Sequence, residues 1–167
     1  IYVQVQSLTY IPNGIENFFP NLIALQFSSC NISTLSGHEL DAFNNLRWFA
    51  FTYQSNFERV PESLFARTPL IQTAFFDNNN IKIVDENFLT SLSQLTYANF
   101  GANSCVNRGA TNSSQLPALI EYLRTNCNEF PCGDLCNLEE KNQIIMQQNS
   151  DIKLQNAEII EKLAALS

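Results

Sequence analysis

Five cysteines and a single histidine are the side chains of this sequence best suited to reactive chemistry. The histidine, His38, stands in SGHELDAF beside Glu39 and Asp41. An imidazole with carboxylates nearby is raw material for general acid–base work, but a triad also needs a nucleophile held at the ring. GHE has no second histidine four residues on, so it does not form the paired ligands of a zinc protease. Glu39 and Asp41 read instead as solvated acids at a helical start, where negative charge is favoured. No Gly-rich phosphate cradle of either common type occurs. The expectation is a non-enzymatic chain with no cofactor.

Cys30 stands apart, whereas Cys105, Cys127, Cys132 and Cys136 crowd together. Their separations of 21, 4 and 3 intervening residues do not give two close C-x-x-C pairs, which weakens a zinc reading. A disulfide between Cys105 and Cys127 would suit an oxidising compartment. Cys132 and Cys136 could pair with each other across CGDLC or bridge two chains. Asn31 in NIS and Asn112 in NSS match the glycosylation triplet, Asn112 within a more polar stretch.

These residues must be positioned by a repeating scaffold. LIALQFSSCNI, from Leu22, places apolar residues at positions 1, 4, 6 and 11 and Cys30 at position 9. The spacing returns from Leu46, Ile71 and Leu95, at intervals of 24, 25 and 24 residues, and a half-unit (Ile1, Val3, Gln6, Leu8) precedes it. It matches the leucine-rich-repeat pattern L-x-x-L-x-L-x-x-N/C-x-L, with Phe in several Leu places. Positions 4 and 6 would point inward from a short strand, and a polar side chain at position 9 would satisfy backbone groups at the turn. Cys30 there reads as a small buried residue. Gln54 holds position 9 of the second full unit and Asn56 comes two residues later, which predicts a small bulge with Phe57 and Val60 resuming the core. Pro61 before ESLF predicts a turn and a short helical start. The 13 Phe residues fit an interior in which Ala74 and Ala98 leave room for rings.

The fold class expected is therefore an α/β solenoid: a leucine-rich-repeat horseshoe fragment with short parallel strands. Residues 1–104 would hold a partial repeat plus about four more, 105–134 a cysteine-bearing cap with a helix over 117–125, and 135–167 a coiled-coil helix. In that helix Leu138, Ile145, Ile152, Ile159 and Leu166 recur every seven residues as d positions. Asn142, Asn149 and Asn156 would occupy a, favouring a register-matched parallel pair, while Ile at d pulls away from two strands. A lone amphipathic helix folded on the cap is the competing reading.

The net charge of −7, with ten acids against six bases in residues 1–130, argues against nucleic acid and anionic membranes as partners. No twenty-residue apolar run predicts membrane insertion. The missing initiator Met and signal peptide fit a mature or trimmed fragment. Side chains alternating with the inward set would line a concave sheet, among them Arg47, Trp48, Tyr53, Phe75, Tyr97 and Asn99. Exposed rigid aromatics beside an Arg are typical anchors for a protein partner. Stacking that merely stiffens the sheet is the alternative.

On LIALQFSSCNI, AFFDNNNI, ANFGANSCVN, LIEYLRTNC and the heptads from Leu135, the chain resembles secreted insect leucine-rich-repeat proteins of the mosquito complement-associated immune type. That resemblance implies a haemolymph protein that dimerises through its coil and an interchain cysteine, corresponding to Cys132 or Cys136, and that binds a thioester-containing complement-like protein. This chain departs from it in having fewer repeats and a shorter coil. A structural or assembly protein working through its coil, or the trimmed ectodomain of a repeat receptor, are the alternatives.

Overall fold

A computed structural model of the chain describes residues 1–85, 87–90 and 92–128, all within one compact unit, Ile1–Pro131. In chain order the strands are β1 (Tyr2–Val3), β2 (Ala24–Ser28), β3 (Trp48–Thr52), β4 (Arg59–Val60), β5 (Thr73–Phe75), β6 (Ile83–Val84), β7 (Tyr97–Asn99) and β8 (Gly109–Ala110). Six form one sheet in the order β1-β2-β3-β5-β7-β8, parallel except that β8 runs antiparallel to β7. β4 and β6 pair in a second, two-stranded sheet.

The repeat spacing sets the register. Leu25, Phe49, Ala74 and Ala98, the fourth residues of their units, stand opposite one another across β2, β3, β5 and β7. Phe27, Phe51, Phe76 and Phe100, the sixth, are all fully buried. Phe27 pairs with Phe51 across the strands, and the Phe76 and Phe100 rings stack at 5.4 Å. Rings from the return segments pack against this column, Phe65 on Phe49 and Phe76, and Phe88 on Phe76 and Phe100. Phe65 and Phe88 lie 5.1 Å apart, and Phe88 meets Phe76 edge-on at 5.4 Å. Full burial of each such ring contributes about 2–3 kcal/mol.

The expected α/β alternation is overturned. The described residues form an almost all-β solenoid of about four stacked turns with a short helical cap, not a leucine-rich-repeat horseshoe with helices between its strands. The reason lies in a period of three. Leu40, Phe43 and Leu46 follow one another through i→i+3 bonds (Phe43 N–H to Leu40 C=O at 3.0 Å, Leu46 N–H to Phe43 C=O at 2.9 Å), and so do Phe65, Thr68 and Ile71, and Leu89, Leu92 and Leu95. Apolar residues three apart face one side of a chain with three residues per turn, so these segments close as tight successive turns and never develop a 3.6-residue period. Among the described residues the one α-helix before the cap, α1 (Ile15–Phe18), is four residues long.

The cap helix expected over 117–125 is present as α2 (Leu116–Asn126), with Pro117 in its first turn and Leu116, Leu119 and Leu123 buried. Cys105 and Cys127 are joined by a disulfide. The Cys127 carbonyl accepts the Val84 N–H at 2.6 Å, and the Cys105 N–H donates to Ile81 at 3.0 Å, so the bridge fastens the cap to the preceding coil. The coiled-coil expectation (Leu138, Asn142, Ile145, Asn149, Ile152, Asn156, Ile159, Leu166) and Cys132 and Cys136 lie outside the described residues.

Candidate functional site

The outward face of the main sheet is built from the residues alternating with its core set. Trp48 on β3, Thr73 on β5 and Tyr97 on β7 share one row, and Ala50, Phe75 and Asn99 share the next. Phe75 therefore sits between the two larger rings. Its centroid is 5.5 Å from Trp48 and 5.0 Å from Tyr97, in tilted arrangements. All three rings are half-buried, and Ala50 beside them is covered. Such offset contacts between rings add to burial and hold each side chain in one orientation. The result is a fixed aromatic strip crossing three strands.

The strip is flanked mostly by neutral groups. Among the described outward positions from Ile23 to Gly101, the charges are Arg47, exposed at the start of β3, and Asp77, which accepts from Asn78 Nδ2 at 2.6 Å. The Arg47 carbonyl is engaged by the N–H groups of Gln72 and Thr73. Asn99 turns its Oδ1 to the Gly101 N–H at 3.0 Å, so its amide oxygen is committed locally. Tyr53 is 57 % exposed but leaves the strip: it occupies a left-handed corner after β3 and stacks on no other ring among the described residues. Ser28 and Thr52 share the outward alternation but are buried and joined by a 3.3 Å hydroxyl hydrogen bond.

The strip is held in register from below by a ladder of position-nine side chains. Asn79 Nδ2 donates to the carbonyls of Phe51, one coil back, and Phe76, in its own coil, at 2.7 and 2.9 Å. Asn103 repeats this on Phe76 and Phe100 at 2.8 and 3.0 Å, and its Oδ1 accepts the Ile81 N–H. Gln54 does the same work with one more methylene, reaching Phe27 and Thr52 carbonyls while accepting from the Ile32 N–H. Cys30 holds the first rung with long sulfur contacts to the Val3 and Ser28 carbonyls. The bulge expected around Gln54 and Asn56 falls beyond β3, which ends at Thr52, and Phe57 and Val60 after it are fully buried, as expected. Asn56 lies outside the ladder and bonds Asn31 at the surface.

Reading the sequence missed the backbone partner of this ladder. Ser29, Tyr53, Asn78 and Ala102, each at position eight, all have φ between 51° and 56°. The chain turns out of β2, β3, β5 and β7 through this left-handed residue, and the turn aims the next side chain inward. Asn78 was the one legible signal, since Asn tolerates that conformation.

His38 lies elsewhere, on the surface of the return segment, with Nδ1 3.1 Å from Asp41 Oδ2 and Arg67 Nε 3.7 Å from the same oxygen. Glu39 closes its own turn, accepting the Ser36 and Gly37 N–H groups at 2.6 and 3.0 Å. Its partial burial would raise its pKa, but those bonds, with the Glu39 N–H and the Ser36 side chain, outweigh burial and hold it below the ordinary value of 4.5. Among the described residues no group of three or more His, Cys, Asp or Glu is placed to hold a metal ion. Asn31 and Asn112 are both exposed.

No family model matches this chain, and no curated protein matches it either. Its backbone is similar to a chain of the Drosophila Toll–Spatzle complex, described as a molecular hub in development and innate immunity, with TM-score 0.55 and 16 % identity. The match covers 61 % of this chain and 14 % of that one, and it is a likeness of fold. The resemblance to mosquito complement-associated leucine-rich-repeat proteins is thereby corrected: the fold is a β-solenoid, and the likeness found is a partial one to a Toll–Spatzle chain. No helix among the described residues is long and apolar enough to cross a membrane.

Proposed function

We propose that this chain is an extracellular, non-enzymatic recognition module that binds a protein through the outward face of its sheet. Trp48, Phe75 and Tyr97 are the anchors and Arg47 the flanking charge. The observation that carries the reading is the contact of the three rings across adjacent strands, at 5.5 and 5.0 Å. Rings already locked lose little side-chain freedom on binding, and aromatic and Arg side chains dominate the energetics of protein interfaces. The Cys105–Cys127 bridge supports the extracellular setting, and the fold likeness to a chain of a complex described as a hub of innate immunity supports recognition.

Trp48 is the sole tryptophan, so its fluorescence reports directly on this face. A partner purified from extracellular fluid should shift the Trp48 emission on titration. The Tyr97→Ala variant should bind it at least about tenfold more weakly while its unfolding midpoint stays near that of the parent. Unchanged affinity would remove the strip from the interface. A large stability loss with unchanged affinity would make the rings a stiffening device.

A further inference from the structure

Within the loop that leads from β8 into the cap, Asn112 accepts two hydrogen bonds on Oδ1, from the Ser114 N–H at 3.1 Å and the Ser114 hydroxyl at 2.6 Å. Its side chain is thus folded back on the third residue of its own Asn-Ser-Ser triplet, and all three residues are exposed. With both bonds on the oxygen, the Nδ2 amino group is left pointing away from them. Thr111 and Gln115 brace this turn, since the Gln115 side chain accepts both the Thr111 N–H and its hydroxyl.

The other triplet differs. Asn31 turns its oxygen to Asn56, 25 residues away, and its central residue Ile32 is fully buried. The Asn112 turn is made from contacts within five residues, so it can form in a nascent chain before the solenoid exists. The Asn31 arrangement needs the next coil.

We propose that Asn112 is an N-glycosylation site and that its glycan covers the last strand of the sheet; this rests on the extracellular reading above. The donor is a lipid-linked oligosaccharide diphosphate. A bond forms between Asn112 Nδ2 and the anomeric carbon, the bond from that carbon to the diphosphate oxygen breaks, the lipid diphosphate leaves, and the amide gives up one proton. The hydroxyl and N–H of Ser114 polarise the amide through its oxygen. β8 is the terminal strand of the sheet, and Arg108, Gly109 and Thr111 around it are exposed. A glycan two residues beyond β8 would block edge-to-edge pairing there, which otherwise invites association.

The test is secretion of the full chain from insect cells behind a cleavable leader, followed by amidase removal of glycan in isotopic water and peptide mapping. Labelled Asp at 112 in most molecules is expected. An unmodified Asn112 in secreted protein overturns the proposal, whether or not Asn31 is occupied. The leader forces entry into the lumen, so that result leaves the natural location untouched. Natural location is tested separately, by finding the endogenous protein in extracellular fluid. The Asn112→Asp variant keeps the turn-capping oxygen but cannot be glycosylated, and it should sediment with a larger associated fraction. Equal association would overturn the edge-covering role.

Discussion

The Asn79 side chain accepts the backbone N–H of Gln54 at 2.7 Å, across the boundary between two coils. With its two donations to Phe51 and Phe76, one side chain ties off three backbone groups that the exit from a strand would leave buried and unpaired.

Asn79→Ala should therefore cost about 3 kcal/mol, because each orphaned buried group costs about 1–3 kcal/mol and water can reach some of them. Urea denaturation checks this. A loss below about 1 kcal/mol would mean that the ladder merely accompanies the fold.

The left-handed corners make an opposite kind of prediction. Ala102 has φ 53°, a conformation that costs an ordinary residue about 1–2 kcal/mol. Glycine adopts it freely but loses about 0.5–1 kcal/mol through its looser unfolded state. Ala102→Gly should thus stabilise the protein by about 0.5 kcal/mol, a small rise in melting temperature. A clear fall would show that the methyl group packs usefully.

Reduction of the Cys105–Cys127 bridge, which closes a separation of 22 residues, should lower stability by about 3 kcal/mol through the freed chain entropy of the unfolded state. Scanning calorimetry with and without reductant measures it. Hydrogen exchange should show α2 opening before β3. Simultaneous opening of both would mean that the cap is no separate unit.

Glu39 supplies a pH dependence. Its folded pKa lies below 4.5, so the unfolded chain takes up the proton first as pH falls. The stabilisation is complete well above 4.5 and disappears as pH drops through the folded value. Glu39→Gln should be less stable than the parent at neutral pH, and the two should converge in acid. A gap that persists at low pH would assign the effect to packing instead.

The repeat and its inward residues were legible because the spacing is a direct image of the backbone: a strand alternates with period two, and each coil must return to the same column. The cap helix was legible too, from Pro117 and the apolar face of Leu119, Ile120 and Leu123. The return segments are less legible, because an apolar set at Leu40, Phe43 and Leu46 suits a helix face or a run of three-residue turns and only the hydrogen bonds discriminate. The short helical start expected after Pro61 is nonetheless present over Glu62–Phe65. Gln54 suggests an interruption because Asn56 follows two residues later, and only its carbonyl partners show that Gln54 itself holds the ladder position.

What the sequence by itself determined is local and periodic: which residues face inward, where each coil begins, and that Cys105 and Cys127 flank a helix. What only the tertiary structure decided is how coils use one another. The contact of Phe75 with Trp48 and Tyr97, the departure of Tyr53 from that strip, the burial of Ser28 against Thr52 and the antiparallel closure by β8 all join residues from different coils or on opposite sides of a turn. Such contacts depend on distances set by stacking and on corner dihedrals that no spacing of residue types encodes.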